Sequence, residues 1–327
     1  MATSLYPFTF QPLFKERVWG GRRLEQLYGK ALPPGVPIGE SWEITDRPEG
    51  VSVITNGPLA GRDLRWLMEN HAAELLGDSQ PCAGRFPLLV KILDAQEKLS
   101  LQVHPPAHRA AELRGDPKTE MWFVADATPD ADLFVGLRCG ATRAEFERRI
   151  ADGTVAECFH RIPVRPGDSM FLPSGRVHAL GAGNVIFEIQ QNSDTTYRVF
   201  DWNRVGLDGK PRELHIPQAL ASIDFADFEP ALAPAEWLAD GRHEARPLAD
   251  CELFSVRALR LPANGENALG GNRVVVLAVT DGQLAVTCRD TTCALKLGDF
   301  CVVPASCVAD TTVRTTSGAT YLQAVAR

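Results

Sequence analysis

The chain of 327 residues has no run of about 18 consecutive apolar residues, the length that a membrane-spanning helix needs. Its N-terminal segment lacks the basic start and continuous apolar stretch of a secretion signal, so we expect a cytoplasmic protein with no membrane partner. Basic residues are also in the minority, because 34 Lys and Arg stand against 41 Asp and Glu, a formal net charge of −7. Nucleic-acid-binding proteins usually carry a basic surface, so we expect no nucleic-acid partner.

Short motifs for nucleotides and for zinc knuckles are absent too. Neither a P-loop nor a G-x-G-x-x-G element occurs, which argues against a nucleotide site. The eight cysteines include no C-x-x-C pair, and the four between Cys288 and Cys307 are five, eight and six residues apart. That spacing is typical of small side chains on successive strands rather than of zinc ligands, and we expect free thiols.

The sequence instead contains many short apolar segments separated by Gly, Pro, Asn and Asp, which predict strands. Helical spacing occurs in residues 63–76, in a short segment after Pro106 and in residues 142–153, and a turn or two of helix is expected at 217–222. Thr142 is a predicted N-cap of the third helix. Many strands and few helices predict a mainly β protein of the β-sandwich or jelly-roll class.

The segment 225–248 is rich in Ala, Pro, Asp and Glu and has no strand period, so we interpret it as a connection between two domains. The domains are then 1–240, with the helical insertions, and 241–327. A weak repeat, G-D-x-x-x-x-P, occurs at 167–173 and again at 298–304. His178 follows the first copy by five residues but Ala309 follows the second, so only the first domain is expected to bind a metal.

Candidate metal ligands are concentrated between residues 91 and 204. Gln102 and His104 are two residues apart on a predicted strand, so their side chains point to the same face. Glu120 begins another strand, and His178 lies in the segment VHAL. Two His, one Glu and a Gln oxygen suit zinc, although cobalt, manganese or nickel would also accept these donors. Taken singly, each of these residues is more often a packing, turn or surface residue.

Together these motifs resemble the type I phosphomannose isomerases of the cupin superfamily, most closely their short bacterial form. The resemblance covers about residues 14–204, in the order FKERVWGGRRL, IGESWEIT, FPLLVKILDAQEKLSLQVHP, KTEMWFV, LPSGRVHALGAG and EIQQNSDTTYRVFDWNR. One position departs from the cupin pattern, which expects Asn four residues after His178. This chain has Ala182 there, and Asn184 follows two residues later.

The resemblance implies two cupin-type jelly rolls and an enzyme that interconverts D-mannose 6-phosphate and D-fructose 6-phosphate. It implies one zinc ion per chain, held by Gln102, His104, Glu120 and His178. It also implies a set of further active-site residues. These are Arg198, Lys118 and Glu188 as catalytic residues, and Ser100, Asp194 and Arg204 as substrate-binding residues.

The chemistry can also be argued from the residues. Aldose–ketose isomerisation moves a proton between adjacent carbons through an enediol, whose growing negative charge a metal ion or a fixed cation stabilises. The guanidinium of Arg198 is such a cation. Glu188 and Lys118 are alternative proton-transfer groups that the sequence does not rank. Lys118 and Arg204, with the Ser100 hydroxyl, are the candidate phosphate ligands.

Two other functions stay open at this point. A cupin oxygenase that uses Fe(II) would also need two His and a carboxylate, although Gln102 and Arg198 argue against it. A non-catalytic sugar-phosphate-binding protein would keep the scaffold, but it would not need the complete ligand set together with Arg198. The sequence does not decide between a monomer and a homodimer.

Overall fold

A computed structural model describes residues 4–327 of the chain. Within these residues the helices are α1 (Arg23–Tyr28), α2 (Leu64–Leu76), α3 (Ala107–Ala110), α4 (Arg143–Asp152), α5 (Ile216–Ser222) and α6 (Ala305–Val308). The strands of the first half are β1 (Leu13–Gly21), β2 (Ile38–Ile44), β3 (Asp46–Arg47), β4 (Gly50–Val51), β5 (Leu88–Ala95), β6 (Leu101–Val103), β7 (Glu120–Ala127), β8 (Asp132–Leu137) and β9 (Phe159–Pro163). The remaining strands are β10 (Ser169–Leu172), β11 (His178–Leu180), β12 (Asn184–Gln191), β13 (Tyr197–Phe200), β14 (Leu238–Asp240), β15 (His243–Asp250), β16 (Phe254–Leu261), β17 (Glu266–Ala268), β18 (Val275–Cys288), β19 (Thr291–Lys296), β20 (Phe300–Val303), β21 (Thr311–Arg314) and β22 (Ala319–Ala326).

One compact unit consists of residues 14–41 and 91–232. It contains a sheet in the order β1-β2-β5-β12-β7-β10 and a second sheet in the order β13-β6-β11-β8-β9. Two clusters of buried apolar side chains fill this unit, one around Trp122 and Leu133 and the other around Val103 and Phe146. The prediction of a mainly β sandwich is confirmed. Among the described residues no helix has the length and apolar character needed to cross a membrane.

The other compact unit consists of residues 4–13, 42–90 and 233–327. Its main sheet follows the order β14-β15-β16-β22-β18-β21-β17, and β19 and β20 also pair with the long strand β18. The pairs β15–β16, β16–β22 and β18–β22 are antiparallel, and their buried positions are mostly Val, Leu and Ala. The two units alternate along the sequence. The expected division into domains 1–240 and 241–327 stays a prediction.

The predicted helices are present, and their caps explain where the longer ones begin. The Asp63 carboxylate accepts a hydrogen bond from the backbone nitrogen of Trp66 at the start of α2. The Thr142 hydroxyl accepts one from the backbone nitrogen of Glu145 at the start of α4. Each cap satisfies an N–H group that has no partner within the helix.

The interpretation of 225–248 as a connection without strands is wrong in its second half. There β14 and β15 form an antiparallel hairpin, in which Leu238 pairs with Ala245. All three residues of β14 are exposed, so no apolar face marks that strand. A register shift between Pro247 and Ala249 interrupts the alternation of β15. Both features remove the period of two on which strand prediction depends.

The repeated G-D-x-x-x-x-P segment has the same structure in both copies. In the first, the Asp168 carboxylate accepts a hydrogen bond from the backbone nitrogen of Arg165 at 2.9 Å, directly before β10. In the second, the Asp299 carboxylate accepts one from the backbone nitrogen of Lys296 at 2.9 Å, directly before β20. Such Asp turns set the chain direction at the start of a strand, so the sequence repeat marks one recurring structural element.

Gly20 allows β1 and β2 to approach closely, because a Cβ atom there would lie 2.3 Å from the backbone nitrogen of Gly39. We expect Gly20→Ala to lower the free energy of unfolding by about 1–3 kcal/mol, since the clash is with backbone that cannot rotate away. Gly270→Ala is the matched control, because a Cβ there meets nothing within 4 Å. Urea unfolding of both variants checks this, and equal midpoints would contradict it.

Candidate active site

The four predicted metal ligands come from both sheets of the unit formed by residues 14–41 and 91–232. Gln102 lies in β6 and is paired in register with His178, the first residue of β11. His104 directly follows β6, and Glu120 is the first residue of β7. The structure therefore brings together residues that lie up to 76 positions apart in the sequence.

The side chains converge on one point, to which Gln102 turns its amide nitrogen rather than its oxygen. Nε2 of His178 lies 3.3 Å from Oε1 of Glu120 and 3.3 Å from Nε2 of Gln102. Nε2 of His104 lies 3.7 Å from Oε2 of Glu120. One ligand atom each from His104, Glu120 and His178 lies within 4.8 Å of the others, and all three residues are buried. This is the spacing of donors around a single ion.

The surrounding hydrogen bonds orient these donors for a metal ion. Nδ1 of His104 donates to the Thr195 carbonyl at 2.7 Å, and Nδ1 of His178 donates to the Arg176 carbonyl at 2.9 Å. Both imidazoles therefore direct the lone pair of Nε2 towards the cluster, as metal-binding histidines do. Oε1 of Glu120 is buried without a hydrogen-bond partner among the described residues. A divalent cation would satisfy this oxygen, so the residues fit a metal site.

The protonation states also suit metal binding. Burial lowers the pKa of His178 to about 3, and burial and Lys118 lower the pKa of His104, although Glu120 opposes both shifts. Burial by itself would raise the pKa of Glu120, but Lys118 and His104 outweigh it and hold that pKa well below its usual range. The site therefore presents neutral imidazoles and an ionised carboxylate, the forms that bind metals.

A row of alternating charges, the charge ladder, crosses the sheet that contains Glu120. It consists of Arg17 on β1, Glu40 on β2, Lys91 on β5, Glu188 on β12 and Lys118 just before β7. Nε of Arg17 lies 2.7 Å from Glu40, and Nζ of Lys91 lies 3.8 Å from Glu40 and 3.4 Å from Glu188. Nζ of Lys118 lies 3.9 Å from Glu188 and contacts the Glu120 carboxylate.

Lys91 is a site residue that sequence reasoning missed. Its burial alone would lower the pKa, but the carboxylates of Glu40, Glu188 and Asp194 outweigh that effect and raise the pKa of Lys91. The sequence does hold a signal, since Lys91 interrupts the apolar run PLLVKIL. A lysine in a fully buried strand must have acidic partners, because an isolated buried charge is too costly.

Glu188 is fixed between a hydrogen-bond donor and two lysines. Nε1 of Trp122 donates to its Oε2 at 2.9 Å. Burial raises the pKa of Glu188, although Lys118 and Lys91 oppose the shift. A carboxyl group with a raised pKa can hold a proton nearer to neutral pH, which suits a proton-transfer group.

A cavity of about 500 Å³ opens beside the metal ligands. The predicted site residues on its wall are Ser100, Gln102, Lys118, Glu188, Asp194 and Arg198. The Ser100 hydroxyl donates a hydrogen bond to Oε1 of Gln102 at 3.3 Å. Arg198 pairs in register with Gln102 across β13 and β6, and its Nε is buried with no hydrogen-bond partner among the described residues. That orphaned donor indicates that a ligand group belongs beside it.

Arg204, predicted to bind substrate, is not among the residues that line this cavity. Its guanidinium pairs with Asp201 at 2.7 Å and with Glu97 at 3.5 Å. Arg212 does line the cavity and makes its own pair with Asp201 at 2.6 Å. Sequence reasoning missed Arg212, because it follows a loop after β13 and belongs to no recognisable motif.

Asn184, which lies two residues beyond the position that the cupin pattern expects, is buried and has a structural role. Its side-chain nitrogen donates to the Asp132 carbonyl at 3.0 Å and to the Gly181 carbonyl at 3.1 Å. These bonds hold the turn between β11 and β12. The departure from the cupin pattern therefore leaves the metal ligands unchanged.

Comparisons with known proteins agree with this geometry. The family model for the catalytic domain of type I phosphomannose isomerase matches residues 8–129. The chain is 36% identical to the mannose-6-phosphate isomerase ManA of Bacillus subtilis over 308 residues, 91% of this chain and 93% of that protein. The crystal structure of the mannose 6-phosphate isomerase from Bacillus subtilis superposes with a TM-score of 0.88 at 32% identity, covering 98% of this chain and 99% of the other.

A zinc-bound mannose 6-phosphate isomerase structure shares the fold, with a TM-score of 0.74 at 19% identity over 97% of this chain and 99% of the other. The fold predicted from the sequence resemblance is thus confirmed. The extent of identity to ManA, over nearly the full length of both proteins, decides the family. The chain belongs to the type I phosphomannose isomerases.

Proposed function

We propose that this protein is a mannose-6-phosphate isomerase that interconverts D-mannose 6-phosphate and D-fructose 6-phosphate through an enediol. The observation that carries the proposal is the convergence of His104, Glu120, His178 and Gln102 beside a cavity that Arg198 also lines. Family membership supports the same reaction, since relatives named as mannose-6-phosphate isomerases match most of the chain.

Zinc is the metal we propose for this site, with Gln102, His104, Glu120 and His178 as its ligands. Two imidazoles, one carboxylate and an amide oxygen suit zinc, and the zinc-bound relative of the same fold supports the choice. When bound, a divalent ion supplies positive charge for substrate oxygens that become negative during enolisation.

The chain's own residues then divide the remaining tasks. Arg198, one strand away from Gln102, lines the cavity, has an Nε without a hydrogen-bond partner among the described residues, and stabilises the enediolate charge. Glu188 and Lys118, which lie 3.9 Å apart, move the proton between carbons 1 and 2. Burial that raises the pKa of Glu188 favours this carboxyl as the group that carries the proton. Ser100 and Asp194 bind substrate hydroxyl groups from the wall of the cavity.

The two rival functions receive less support. An Fe(II) oxygenase would have no need for a charge ladder that leads from the metal ligands to Arg17, and the relatives that match most of the chain are named as isomerases. A pure binding protein would have no need for a buried Glu188 held between two lysines. The cytoplasmic location and the choice between monomer and homodimer stay predictions.

Replacing Arg198 by Ala is expected to lower kcat for mannose 6-phosphate by about 100-fold to 1,000-fold, the usual cost of losing a donor to a developing oxyanion. Zinc content should stay normal, since Arg198 donates to no metal ligand. A coupled assay for fructose 6-phosphate measures the rate. Arg148→Ala, on the exposed face of α4, is the matched control. Unchanged turnover in the Arg198 variant would contradict the role of Arg198 in stabilising the enediolate.

Replacing Glu120 by Gln is expected to abolish stable zinc binding, because the site loses its one negative ligand while the imidazoles stay neutral. Elemental analysis after dialysis should show about one zinc ion per wild-type chain and less than about a tenth of that in the variant. Glu188→Gln is the control and should retain the metal. Full zinc occupancy in Glu120→Gln would refute this ligand assignment.

Chelation of the wild-type protein is expected to abolish isomerase activity, and added zinc is expected to restore it. The same sample should consume no oxygen when it is reloaded with Fe(II), which tests the oxygenase alternative. Metal-replete protein with no activity on mannose 6-phosphate would overturn the proposed function.

A further inference from the structure

Arg204 does not line the cavity, so the phosphate group of the substrate needs other cations to bind it. We propose that Arg17 and Arg212 bind this phosphate group, and that Arg204 is a positioning residue that acts through Asp201. The inference rests on the proposed function, since it takes the substrate to be a sugar phosphate.

Only some of the basic residues at the cavity have donors available to bind the phosphate group. Among residues 4–327, five basic residues line the cavity: Arg17, Lys91, Lys118, Arg198 and Arg212. The two lysines have little charge to spare, because Lys91 lies within 4 Å of Glu40, Glu188 and Asp194, and Lys118 contacts Glu120. Both lysine side chains are also only 5% exposed. Each lysine thus approaches at least two carboxylates, whereas among the described residues Arg17 and Arg212 each form an ion pair with one.

The hydrogen bonds of Arg17 and Arg212 leave donors available for an anion. Arg212 uses Nε and Nη2 on the two oxygens of Asp201, each at 2.6 Å, which leaves Nη1. Arg17 uses Nε on Glu40 and Nη1 on the Glu16 carbonyl, which leaves Nη2. Both side chains are partly exposed, 33% for Arg17 and 23% for Arg212, so a ligand in the cavity can reach them. Phosphate is the anion that such guanidinium forks bind best.

The acidic partners of Arg17 and Arg212 are each shared with a second cation. Asp201 pairs with Arg204 as well as with Arg212, and Glu40 pairs with Lys91 as well as with Arg17. Two further acidic residues on the cavity wall, Glu16 and Asp208, are exposed to solvent, which screens their effect. The electrostatic effect of Arg212 and Arg17 on Arg198 adds to burial in lowering the pKa of Arg198. The three guanidinium groups thus form one positive region.

The topology places Arg17 and Arg212 by the outer strands of the two sheets, whereas Arg198 lies one strand away from Gln102. Arg17 lies on β1, the edge strand of its sheet, with β2, β5 and β12 between it and the strand of Glu120. Arg212 is held by Asp201 directly after β13, the edge strand of the other sheet. A hexose 6-phosphate likewise separates its reacting carbons 1 and 2 from its phosphate. With carbons 1 and 2 beside Gln102 and Glu188, the phosphate extends towards these two edge strands.

The test uses inorganic phosphate as the probe, with binding measured by calorimetry on the zinc-loaded chain. Arg17→Ala and Arg212→Ala should each weaken phosphate binding by about 10-fold to 100-fold, the usual loss for a charge-assisted hydrogen bond. Arg212→Lys, which keeps the charge but loses the bidentate fork, should weaken it less. Arg204→Ala should have a smaller effect than Arg212→Ala, and the exposed Arg148→Ala should have none. Phosphate affinity within twofold of wild type in both Arg17→Ala and Arg212→Ala would overturn the assignment.

Kinetics separate this assignment from other roles. Arg17→Ala and Arg212→Ala should raise KM for mannose 6-phosphate about 10-fold or more while kcat changes less, whereas Arg198→Ala lowers kcat. Phosphate affinity that disappears when wild-type zinc is chelated would place the anion on the metal and overturn the proposal. If an alanine variant unfolds, judged by circular dichroism, Arg212→Lys and Arg17→Lys take its place in the phosphate-binding and KM measurements. Both lysine variants keep the ion pairs with Asp201 and Glu40.

The result also distinguishes this inference from the proposed function. A wild-type chain that binds phosphate through Arg17 and Arg212 but does not turn over mannose 6-phosphate would refute the isomerase and leave the anion site standing. Full isomerase activity with unaltered phosphate binding and KM in both variants would refute the anion site alone.

Discussion

The carboxylate of Glu120 is the charge around which the rest of the site is arranged. It is fully buried, and an uncompensated carboxylate in such a place would cost several kcal/mol. Lys118 contacts it, two imidazoles face it, and a divalent ion would complete its coordination. The stability of the fold around Glu120 and the affinity of the site for a metal ion therefore depend on the same residues. The backbone carbonyls of Thr195 and Arg176 hold the imidazole rings so that neither histidine can turn away from the carboxylate.

The requirement that each buried charge has an oppositely charged neighbour also holds for the residues along the sheet. Lys118, which compensates Glu120, also approaches Glu188, and Glu188 in turn lies beside Lys91. Each buried charge is acceptable only because its neighbour has the opposite sign, so the ladder forms as a unit and ends where Arg17 reaches solvent. An arrangement of this kind holds carboxyl and ammonium groups in defined positions at the cavity without backbone strain. It provides a preorganised electrostatic environment for an anionic intermediate.

The two units of the chain show that the scaffold alone does not make an active site. The Asp168 and Asp299 turns have the same hydrogen bonds and start strands of the same length. Five residues after each proline, however, one copy has His178 and the other has Ala309. The recurring turn therefore starts a strand in both units, and only the first copy is followed by a candidate metal ligand.

The sequence by itself predicted that Gln102 and His104 share one face, because residues two apart on a strand do so, and the family resemblance added Glu120 and His178 to the predicted ligand set. It also determined the helices, whose caps at Asp63 and Thr142 are local interactions. Only the tertiary structure decided that Lys91 belongs to the site, that Arg212 rather than Arg204 lines the cavity, and that residues 238–250 form a hairpin. Periodicity reports which face a side chain occupies, but it does not report which strand lies beside it or where a loop returns. Those depend on contacts between residues far apart in the chain, and the pairing of Asp201 with both Arg204 and Arg212 is one such case.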